Sequence, residues 1–482
     1  MSMTKLIKYL ALLFIAVVVF SPNKVMAASN IIVPGTPWND TNGNFIQAHG
    51  GGMIKVGSTY YWVGEDKTGI TDSGKFRGVN IYSTTDFVNF KFEVQALSPQ
   101  VSGDLTNDRI VERPKIIYNN STNKFVMYMH IDNSCYCDAK VGVATSSSIT
   151  GPWTYQGSYR PLNHEIRDMT IYKDTDGAAY LMGATDANAN FTIFKLSSDY
   201  MSVSSIVNSW SNVYLEAPAV VKKNGMYFIL TSRQKGWDPT TQQYVSATSM
   251  GSSWSEWKTI GNSNNYNSQS TFVMPIEGTS GTTYLYLADR WNRYNLQDSR
   301  YVWLPLRIEG NQIAYGWFDH WNLDATAGLF SIPSSFTTMN TNSWYKIVNR
   351  NSGLVLDVSG KSTVDGGNII QYTDNAGWNQ HWKFVPIGNG NYQLINRNSG
   401  KVLAVANGTI ASESNIIQWG NTGEVSQQWS LQSTEGVYFK MMNMNSLKPV
   451  DVIGSSTNPG TQLIQWDDLL QNNQQWSVVQ VN

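Results

Sequence analysis

The chain has 482 residues, of which 14% are charged, and its formal net charge is −1 at pH 7. This length exceeds what one hydrophobic core usually organises, so two domains are expected. The balanced charge gives no electrostatic reason for binding nucleic acid or an anionic membrane. The chain is instead rich in aromatic residues, with 18 Trp and 25 Tyr. They fit either the core of a large β protein or surfaces that stack on sugar rings.

The first 27 residues have the pattern of a secretory signal peptide. Lys5 and Lys8 precede an apolar run from Tyr9 to Phe20, and small residues surround a cleavage point after Ala27. The apolar run is too short to cross ~30 Å of hydrocarbon as a membrane anchor. We therefore expect residues 1–27 to be removed and the protein to be secreted.

Residues 28–333 are expected to form a β-propeller. Short apolar runs alternate with Gly, Asn, Asp and Ser turns, and no helical period is sustained. A two-strand pattern recurs at intervals of roughly 50–60 residues, which is typical of radial blades of four antiparallel strands. Its copies begin HGGGMIKV, ERPKIIY, RDMTIYK, EAPAVVK and QSTFVMP. The sequence therefore predicts an all-β chain with a five-bladed propeller, and the lack of crossover helices excludes a parallel α/β fold.

The repeat also predicts where a site should lie, because the innermost strand of each blade lines the central channel. The residues that enter these strands occupy equivalent positions and include three carboxylates and one carboxamide. They are His49 or Gly50, Glu112, Asp168, Glu216 and Gln269. Acidic residues can also simply cap strand ends, but their recurrence in successive blades favours convergence on one pocket.

A polar stretch, residues 334–340, is predicted to be a linker, and a second repeat fills residues 341–482. Its three copies each close in Gln-x-Trp, at Trp382, Trp429 and Trp476. This triplication resembles the ricin-type β-trefoil lectin domain, carbohydrate-binding module family 13. The resemblance implies a second, sugar-binding domain, although the Gln-x-Trp residues could serve the core alone.

Each sugar site of such a trefoil needs an Asp, an aromatic platform, and an Asn beside the closing Gln. The second copy has Ala404 and Ser426 in place of the Asp and the Asn, so we expect two working sites and one silent one. The expected site residues are Asp357, Tyr372, Asn379 and Gln380 in the first copy, and Asp451, Trp466, Asn473 and Gln474 in the third.

The first domain resembles glycoside hydrolase family 43 over about residues 45–325. The segment LEAPAVVKKNGMYFILTS, which contains Glu216, is similar to the acid motif of that family, and Asp168 in RDMTIYKDTDG matches a second acidic position. Glycoside hydrolysis normally uses one carboxyl group to donate a proton and another to activate water. The resemblance implies that Glu216 is the general acid and that Asp168 orients it and raises its pKa.

The chain departs from most of family 43 at the first blade, where NFIQAHGGGMIKV offers His49 or Gly50 instead of an Asp base. Either activity has been lost or water is activated differently. The exo-β-1,3-galactanase branch lacks the same Asp, and this chain is similar to it at VERPK, LEAPA and NSQSTFV. That resemblance implies Gln269 as the base, in its amide or imidic form, with Glu112 holding substrate hydroxyls. It also implies inversion, with the two groups ~6.5–9.5 Å apart.

Further contacts with the substrate are expected from His49 and from three loop aromatics, Tyr136, Trp237 and Trp291, although each could serve packing. The sequence shows no metal constellation and no cofactor motif. Cys135 and Cys137 are interpreted as a local loop feature without a catalytic role, with their oxidation state left open.

The resemblance therefore implies a secreted exo-β-1,3-galactanase, a galactan 1,3-β-galactosidase that acts from the non-reducing end. Its expected partners are galactan or arabinogalactan and galactose-containing oligosaccharides, but neither nucleic acid nor a membrane, and it is expected to be a monomer. Two alternatives remain open. One is another family 43 activity, an α-L-arabinofuranosidase or a β-xylosidase, and the other is a non-catalytic galactan-binding lectin.

Overall fold

The computed structural model describes residues 30–71, 75–337 and 339–481, so the predicted signal peptide lies outside the described residues. Within these ranges, no helix is long and apolar enough to cross a membrane. The described chain is all-β, as the sequence predicts, and its helices are 3-10 turns of three residues. These turns are Pro161–Asn163, Leu296–Asp298, Ser359–Lys361, Trp378–Gln380, Ala406–Gly408, Val425–Gln427, Ile453–Ser455 and Asn472–Gln474.

After a short first strand, β1 (Ile31–Ile32), the described residues form five four-stranded antiparallel sheets in chain order. The first two sheets are β2 (His49–Val56), β3 (Thr59–Glu65), β4 (Val79–Thr84) and β5 (Lys91–Leu97), then β6 (Ile110–Asn119), β7 (Lys124–Asp132), β8 (Lys140–Ser146) and β9 (Thr154–Tyr159). The next two are β10 (Ile166–Lys173), β11 (Ala179–Thr185), β12 (Asn190–Leu196) and β13 (Val203–Trp210), then β14 (Leu215–Lys223), β15 (Met226–Arg233), β16 (Gln242–Ala247) and β17 (Lys258–Ile260). The fifth is β18 (Gln269–Glu277), β19 (Thr282–Arg290), β20 (Arg300–Glu309) and β21 (Gln312–Ala314).

The five sheets close into a propeller-like ring. Strands β2, β6, β10, β14 and β18 each contact the first strand of the next sheet, and β18 contacts β2. The ring encloses apolar side chains between neighbouring sheets, and nearly every residue of β7 (KFVMYMHID) is buried for this reason. Strands buried on both faces read as continuous apolar runs rather than as alternating ones. A three-stranded sheet of β1, β22 (Trp321–Asp324) and β23 (Leu329–Ser331) follows the ring.

The second domain is a twelve-stranded trefoil with four strands in each repeat. The strands are β24 (Trp344–Asn349), β25 (Val355–Val358), β26 (Gly367–Tyr372), β27 (Trp382–Gly388), β28 (Asn391–Asn396), β29 (Val402–Val405), β30 (Ser414–Trp419), β31 (Trp429–Ser433), β32 (Phe439–Asn443), β33 (Val450–Val452), β34 (Thr461–Gln465) and β35 (Trp476–Val481). The closing indoles of Trp382, Trp429 and Trp476 are fully buried. Each donates its Nε1–H to a backbone carbonyl 26 residues earlier. The three repeats are therefore equivalent in structure as well as in sequence.

The segment predicted to be a linker packs against the trefoil. The backbone N–H groups of Ser335 and Phe336 both donate to the carbonyl of Leu431, at 2.9 and 3.0 Å. The ring of Phe336 stacks on Phe439 with centroids 4.4 Å apart. This part of the chain is held in place rather than left as a tether.

The two domains also share a hydrophobic cluster. Met442, Met444 and Leu447 of the third trefoil repeat pack with Phe318 and Trp321 from the end of the first domain. A guanidinium N–H of Arg307 in β20 donates to the carbonyl of Met444 at 3.1 Å. The orientation of the trefoil on the ring is thus fixed by buried contacts.

Candidate active site

A cavity of about 360 Å³ lies where the inner strands of the ring begin. Four of the residues that the sequence repeat singles out line it together, and so do the three loop aromatics. These residues are Glu112, Asp168, Glu216, Gln269, Tyr136, Trp237 and Trp291. The convergence expected from equivalent positions is therefore present in the structure.

The inner strands share a backbone irregularity that turns these side chains into the cavity. Each has a β-bulge at its start, between His49 and Gly52, Glu112 and Lys115, Ile166 and Met169, Glu216 and Ala219, and Ser270 and Phe272. A bulge breaks the alternation of a strand and re-aims the neighbouring side chain. In three sheets the bulge holds a residue with positive φ, at Gly50 (60°), Arg113 (56°) and Ala217 (53°).

Glu216 is placed to hold a proton. Burial and the negative charge of Asp168 together raise the pKa of Glu216 to about 8, against an opposing effect of Arg113. Asp168 is itself fixed by the guanidinium of Arg113, at 2.8 and 3.2 Å, and by the backbone N–H of Ala217 at 3.1 Å. A carboxyl group that stays neutral near pH 7 is the form that a general acid requires.

Gln269 contacts Glu216 directly. Its Nε2–H donates to Oε1 of Glu216 at 2.9 Å and to the hydroxyl of Ser232 at 3.3 Å. Its Oε1 accepts from Arg113 at 2.6 Å and from the indole of Trp291 at 3.0 Å. The expected separation of ~6.5–9.5 Å between acid and base is therefore wrong for this structure, because a hydrogen bond joins the two side chains.

Glu112 is an ionised hydrogen-bond acceptor. Burial opposes its charge, but the hydrogen bond from His130 and the positive charge of Lys67 lower the pKa of Glu112 to about 2. The imidazole of His130 lies between Glu112 at 3.3 Å and Asp132 at 2.9 Å. These hydrogen bonds outweigh burial and raise the pKa of His130 to about 9, so it is a cation at neutral pH. Such a carboxylate suits the binding of sugar hydroxyls.

The first sheet provides an acid that the sequence analysis missed. Glu65 ends β3, lines the cavity and lies against Gly50, whose added Cβ would meet Oε1 of Glu65 at 2.1 Å. Its carboxylate lies 2.5 Å from Nζ of Lys67 and accepts the backbone N–H of Arg113 at 2.9 Å. The expectation that no acid is available at this blade is therefore wrong. The carboxylate comes from the second strand and fills the space that a side chain at Gly50 would need.

The expectation that His49 contacts the substrate is also wrong. Its side chain is fully buried and does not line the cavity. The imidazole Nδ1 lies 3.4 Å from Asp289, and the ring stacks on Tyr301 with centroids 4.9 Å apart. A side chain without an exposed surface cannot contact substrate directly, so His49 supports the wall of the site from behind.

The aromatic residues form two sides of the cavity. Trp237 and Trp291 meet edge to face, with centroids 5.4 Å apart. Tyr136 donates its hydroxyl to Glu112 at 3.2 Å, and its carbonyl accepts from Arg167 at 2.8 Å. Its loop contains a disulfide between Cys135 and Cys137, so these cysteines are oxidised in the structure. The loop is thus braced from both sides around Tyr136.

Sequence reasoning also missed six further residues that line the cavity, namely Lys67, Arg113, His130, Arg167, Asn188 and Gly236. Arg113 follows Glu112 directly in VERPK, so its proximity to the inner strand was available as a signal. Arg167 likewise directly precedes Asp168 in β10, whereas the others lie on second strands or in loops, where no repeat position marks them.

The first and third trefoil repeats have matching polar sites. Asp357 accepts hydrogen bonds from the amides of Asn379 and Gln380 at 2.9 and 2.8 Å. In the third repeat, Asn473 and Gln474 donate to Asp451 at 3.0 and 2.8 Å. In both repeats one carboxylate oxygen receives the two amides. The ring of Tyr372 is exposed and that of Trp466 is partly exposed.

Comparison with known proteins accounts for both domains. The model of Glycosyl hydrolases family 43 matches residues 49–302. The chain belongs to this family. The model described as Ricin-type beta-trefoil lectin domain-like matches residues 320–419 and 425–482. No curated protein sequence matches the chain.

Two solved structures of family 43 proteins are similar over nearly the whole chain, and a third is similar over 61% of it. An exo-β-1,3-galactanase from Clostridium thermocellum is 36% identical with a TM-score of 0.65, covering 94% of this chain and 100% of that one. An exo-β-1,3-galactanase from Phanerochaete chrysosporium, solved with galactose, is 30% identical with a TM-score of 0.61, covering 93% of this chain and 100% of that one. A β-1,3-galactosidase solved with galactodeoxynojirimycin is 31% identical with a TM-score of 0.57, covering 61% of this chain and 100% of that one. The family and these neighbours identify the chain as a glycosidase with a lectin-type trefoil.

Proposed function

We propose that this family 43 glycosidase is a secreted exo-β-1,3-galactanase on a five-bladed propeller. It releases galactose from the non-reducing end of β-1,3-galactan with inversion. The observation that carries the proposal is the contact in the cavity between Glu216, with its raised pKa, and Gln269. A neutral carboxyl beside a carboxamide provides a proton donor and a second polar group, without the usual Asp base.

Glu216 donates its proton to the leaving glycosidic oxygen. Its pKa of about 8 keeps the carboxyl group protonated at neutral pH. Proton donation in the transition state typically contributes ~10²–10⁴-fold to the rate. Asp168 and Arg113 do not contact the leaving oxygen in this scheme. The pKa of Glu216 is raised by burial and by the charge of Asp168, and Arg113 holds Asp168 in place while partly opposing this rise.

Gln269 orients the attacking water. Its carboxamide is fixed by four hydrogen bonds, two to Nε2 and two to Oε1. A substrate that enters between Glu216 and Gln269 must break their mutual contact, and water then takes the freed position beside the amide. A neutral amide is a weak base in water, so positioning of the nucleophile provides most of its effect.

The cavity suits the end of a galactan chain. Its volume of about 360 Å³ lies at the small end of the range of about 300–1,000 Å³ for ligand sites. The carboxylates of Glu65 and Glu112 and the cations Lys67 and Arg113 offer partners for several hydroxyls, and Trp237 and Trp291 offer apolar faces. The galactose and the β-1,3-galactotriose seen in the Phanerochaete structures support this substrate class.

Secretion is supported by two independent features. Residues 1–27 have the pattern of a signal peptide. The exposed disulfide between Cys135 and Cys137 is also of a kind that persists in oxidising compartments.

Product analysis tests the activity. The purified protein is incubated with β-1,3-galactan, with arabinoxylan and with arabinan, and the products are separated by chromatography. We expect free galactose from the galactan alone, without early intermediate oligosaccharides. Release of arabinose or xylose would instead identify an arabinofuranosidase or a xylosidase. Binding to galactan without any product would identify a lectin.

A further inference from the structure

The second trefoil repeat contains an open cleft, although it lacks the Asp and the Asn of the other repeats. The cleft has a volume of about 530 Å³. It is lined by Ala404 and Ser426, the two small residues at the replaced positions, and by Gln427. The replacement therefore leaves an open space where the other repeats hold a carboxylate.

The cleft retains the aromatic platform and the closing Gln of the other repeats, and its own repeat also contributes an exposed carboxylate, Glu424. The indole of Trp419 is 42% exposed at the end of β30, where Tyr372 ends β26 in the first repeat. Gln427 keeps two hydrogen bonds of its counterparts: its Nε2–H donates to the carbonyl of Gly420 at 2.8 Å, and its Oε1 accepts the backbone N–H of Thr422 at 2.9 Å. In the first repeat the same amide of Gln380 has a second acceptor, Asp357. The amide of Gln427 therefore has a donor left for a ligand.

A second carboxylate reaches the cleft from the other domain. Glu309, in the hairpin between β20 and β21, lines the same cleft and is exposed. Its position is fixed by the shared interface, because Arg307, two residues earlier on β20, binds the carbonyl of Met444 in the trefoil. A carboxylate that reaches a trefoil site from a neighbouring domain is possible only because the two domains are packed together.

We propose that Glu309, Trp419 and Gln427 form a third carbohydrate site, shared between the two domains, that binds a galactopyranosyl unit. The axial hydroxyl at C4 leaves one face of galactopyranose apolar, and that face stacks on the indole of Trp419. The carboxylate of Glu309 accepts two hydroxyl hydrogens, and the amide of Gln427 donates to a hydroxyl oxygen. The choice of a galactosyl unit as the ligand rests on the proposed function, whereas the contribution of residues from both domains does not.

The site is tested by affinity electrophoresis in gels that contain soluble β-1,3-galactan. All variants are made in the full chain with Glu216→Gln, so that the polymer is not shortened, and with Asp357→Ala and Asp451→Ala, so that the other repeats lose their carboxylates. We expect weak retardation to persist in this chain. The cavity of the Glu216→Gln chain still holds a chain end, so adding Trp419→Ala should weaken retardation clearly without removing it, and unchanged retardation would overturn the third site. Adding Glu309→Gln should weaken binding by about tenfold, the loss expected for a charge-assisted hydrogen bond.

Glu277→Gln is the matched control, because Glu277 is likewise an exposed Glu at the start of a hairpin in the first domain. It should leave retardation unchanged, and thermal melting checks that every variant is folded. Absence of retardation before Trp419 is changed would overturn the third site. Equal retardation of the Glu309→Gln and Glu277→Gln chains would overturn the contribution of Glu309, and so of the first domain, to this site. A failure of the proposed hydrolysis appears separately, as a lack of galactose release by the unmodified protein.

Discussion

The Nε2 atom of Gln269 lies 2.9 Å from Oε1 of Glu216, so the two groups proposed to act on opposite sides of the glycosidic bond are hydrogen-bonded to each other. The same amide accepts from Arg113, which also holds Asp168. The guanidinium of Arg113 therefore binds both Asp168, the neighbour of the proposed acid, and Gln269, the residue proposed to orient water. Changes at any of these four side chains should alter the others.

Glu216→Gln should reduce turnover by at least about 10²–10⁴-fold, because the amide cannot donate the proton that the leaving oxygen needs. The two side chains are almost isosteric, so binding of galactotriose should be retained. Glu256→Gln, at an exposed position of the same domain, is the control and should leave turnover unchanged. Turnover is measured as galactose release. Near-normal turnover of Glu216→Gln would exclude Glu216 as the acid.

The rate should fall as the pH rises through about 8, where Glu216 loses its proton. Asp168→Asn removes a negative charge that raises this pKa, and it leaves the opposing charge of Arg113 less neutralised. Both effects lower the pKa of Glu216, so the alkaline limb of kcat/KM against pH should move to lower pH. An alkaline limb at the same pH in both proteins would show that Asp168 does not act on Glu216.

Gln269→Ala should lower kcat severely if Gln269 orients water, whereas a residue that only binds substrate would mainly raise KM. NMR during the first turnovers should show the α-anomer of galactose, the product of inversion. Gln269→Glu should retain partial activity with an altered pH optimum, since it adds a carboxylate near Glu112 and Asp168. Early appearance of the β-anomer would require a covalent nucleophile instead of a water.

Asp357→Ala combined with Asp451→Ala should lower activity on polymeric galactan much more than activity on galactotriose. The trefoil raises the local concentration of polymer, which a small soluble substrate does not need. Deleting the trefoil is a poorer test, because it would expose Phe318 and Trp321 at the shared interface. Equal losses on the two substrates would argue against this role of the trefoil.

Binding by the third repeat should weaken as the pH falls through about 6. Burial raises the pKa of Asp451 to about 6, against the hydrogen bonds from Gln474 and Asn473. Only the ionised carboxylate accepts two hydroxyl hydrogens, so the protonated form should bind sugar less well. The measurement is polymer retardation against pH in the Asp357→Ala chain. Retardation that stays constant from pH 8 to pH 4 would contradict this prediction.

Glu65→Gln should destabilise the first domain, because it leaves the ammonium of Lys67 buried without its partner. Breaking a buried ion pair costs about 3–5 kcal/mol in the free energy of unfolding. The double variant Glu65→Gln, Lys67→Met removes both charges and should recover most of that loss. Denaturant unfolding of the three proteins checks this. A double variant no more stable than the single one would mean that Lys67 does not depend on Glu65.

The sequence alone determined the all-β class, the two repeats and seven of the cavity residues, four of them from the repeat. Repetition made this possible, because equivalent positions in a repeating fold converge in space, as Glu112, Asp168, Glu216 and Gln269 do. The tertiary structure alone decided what lies between these positions. Glu65 enters from a second strand because Gly50 leaves room for it, and His49 turns away from the cavity toward Asp289. Glu309 reaches the trefoil only because the domains are packed together. Such contacts join residues far apart in the chain, and no period in the sequence records them.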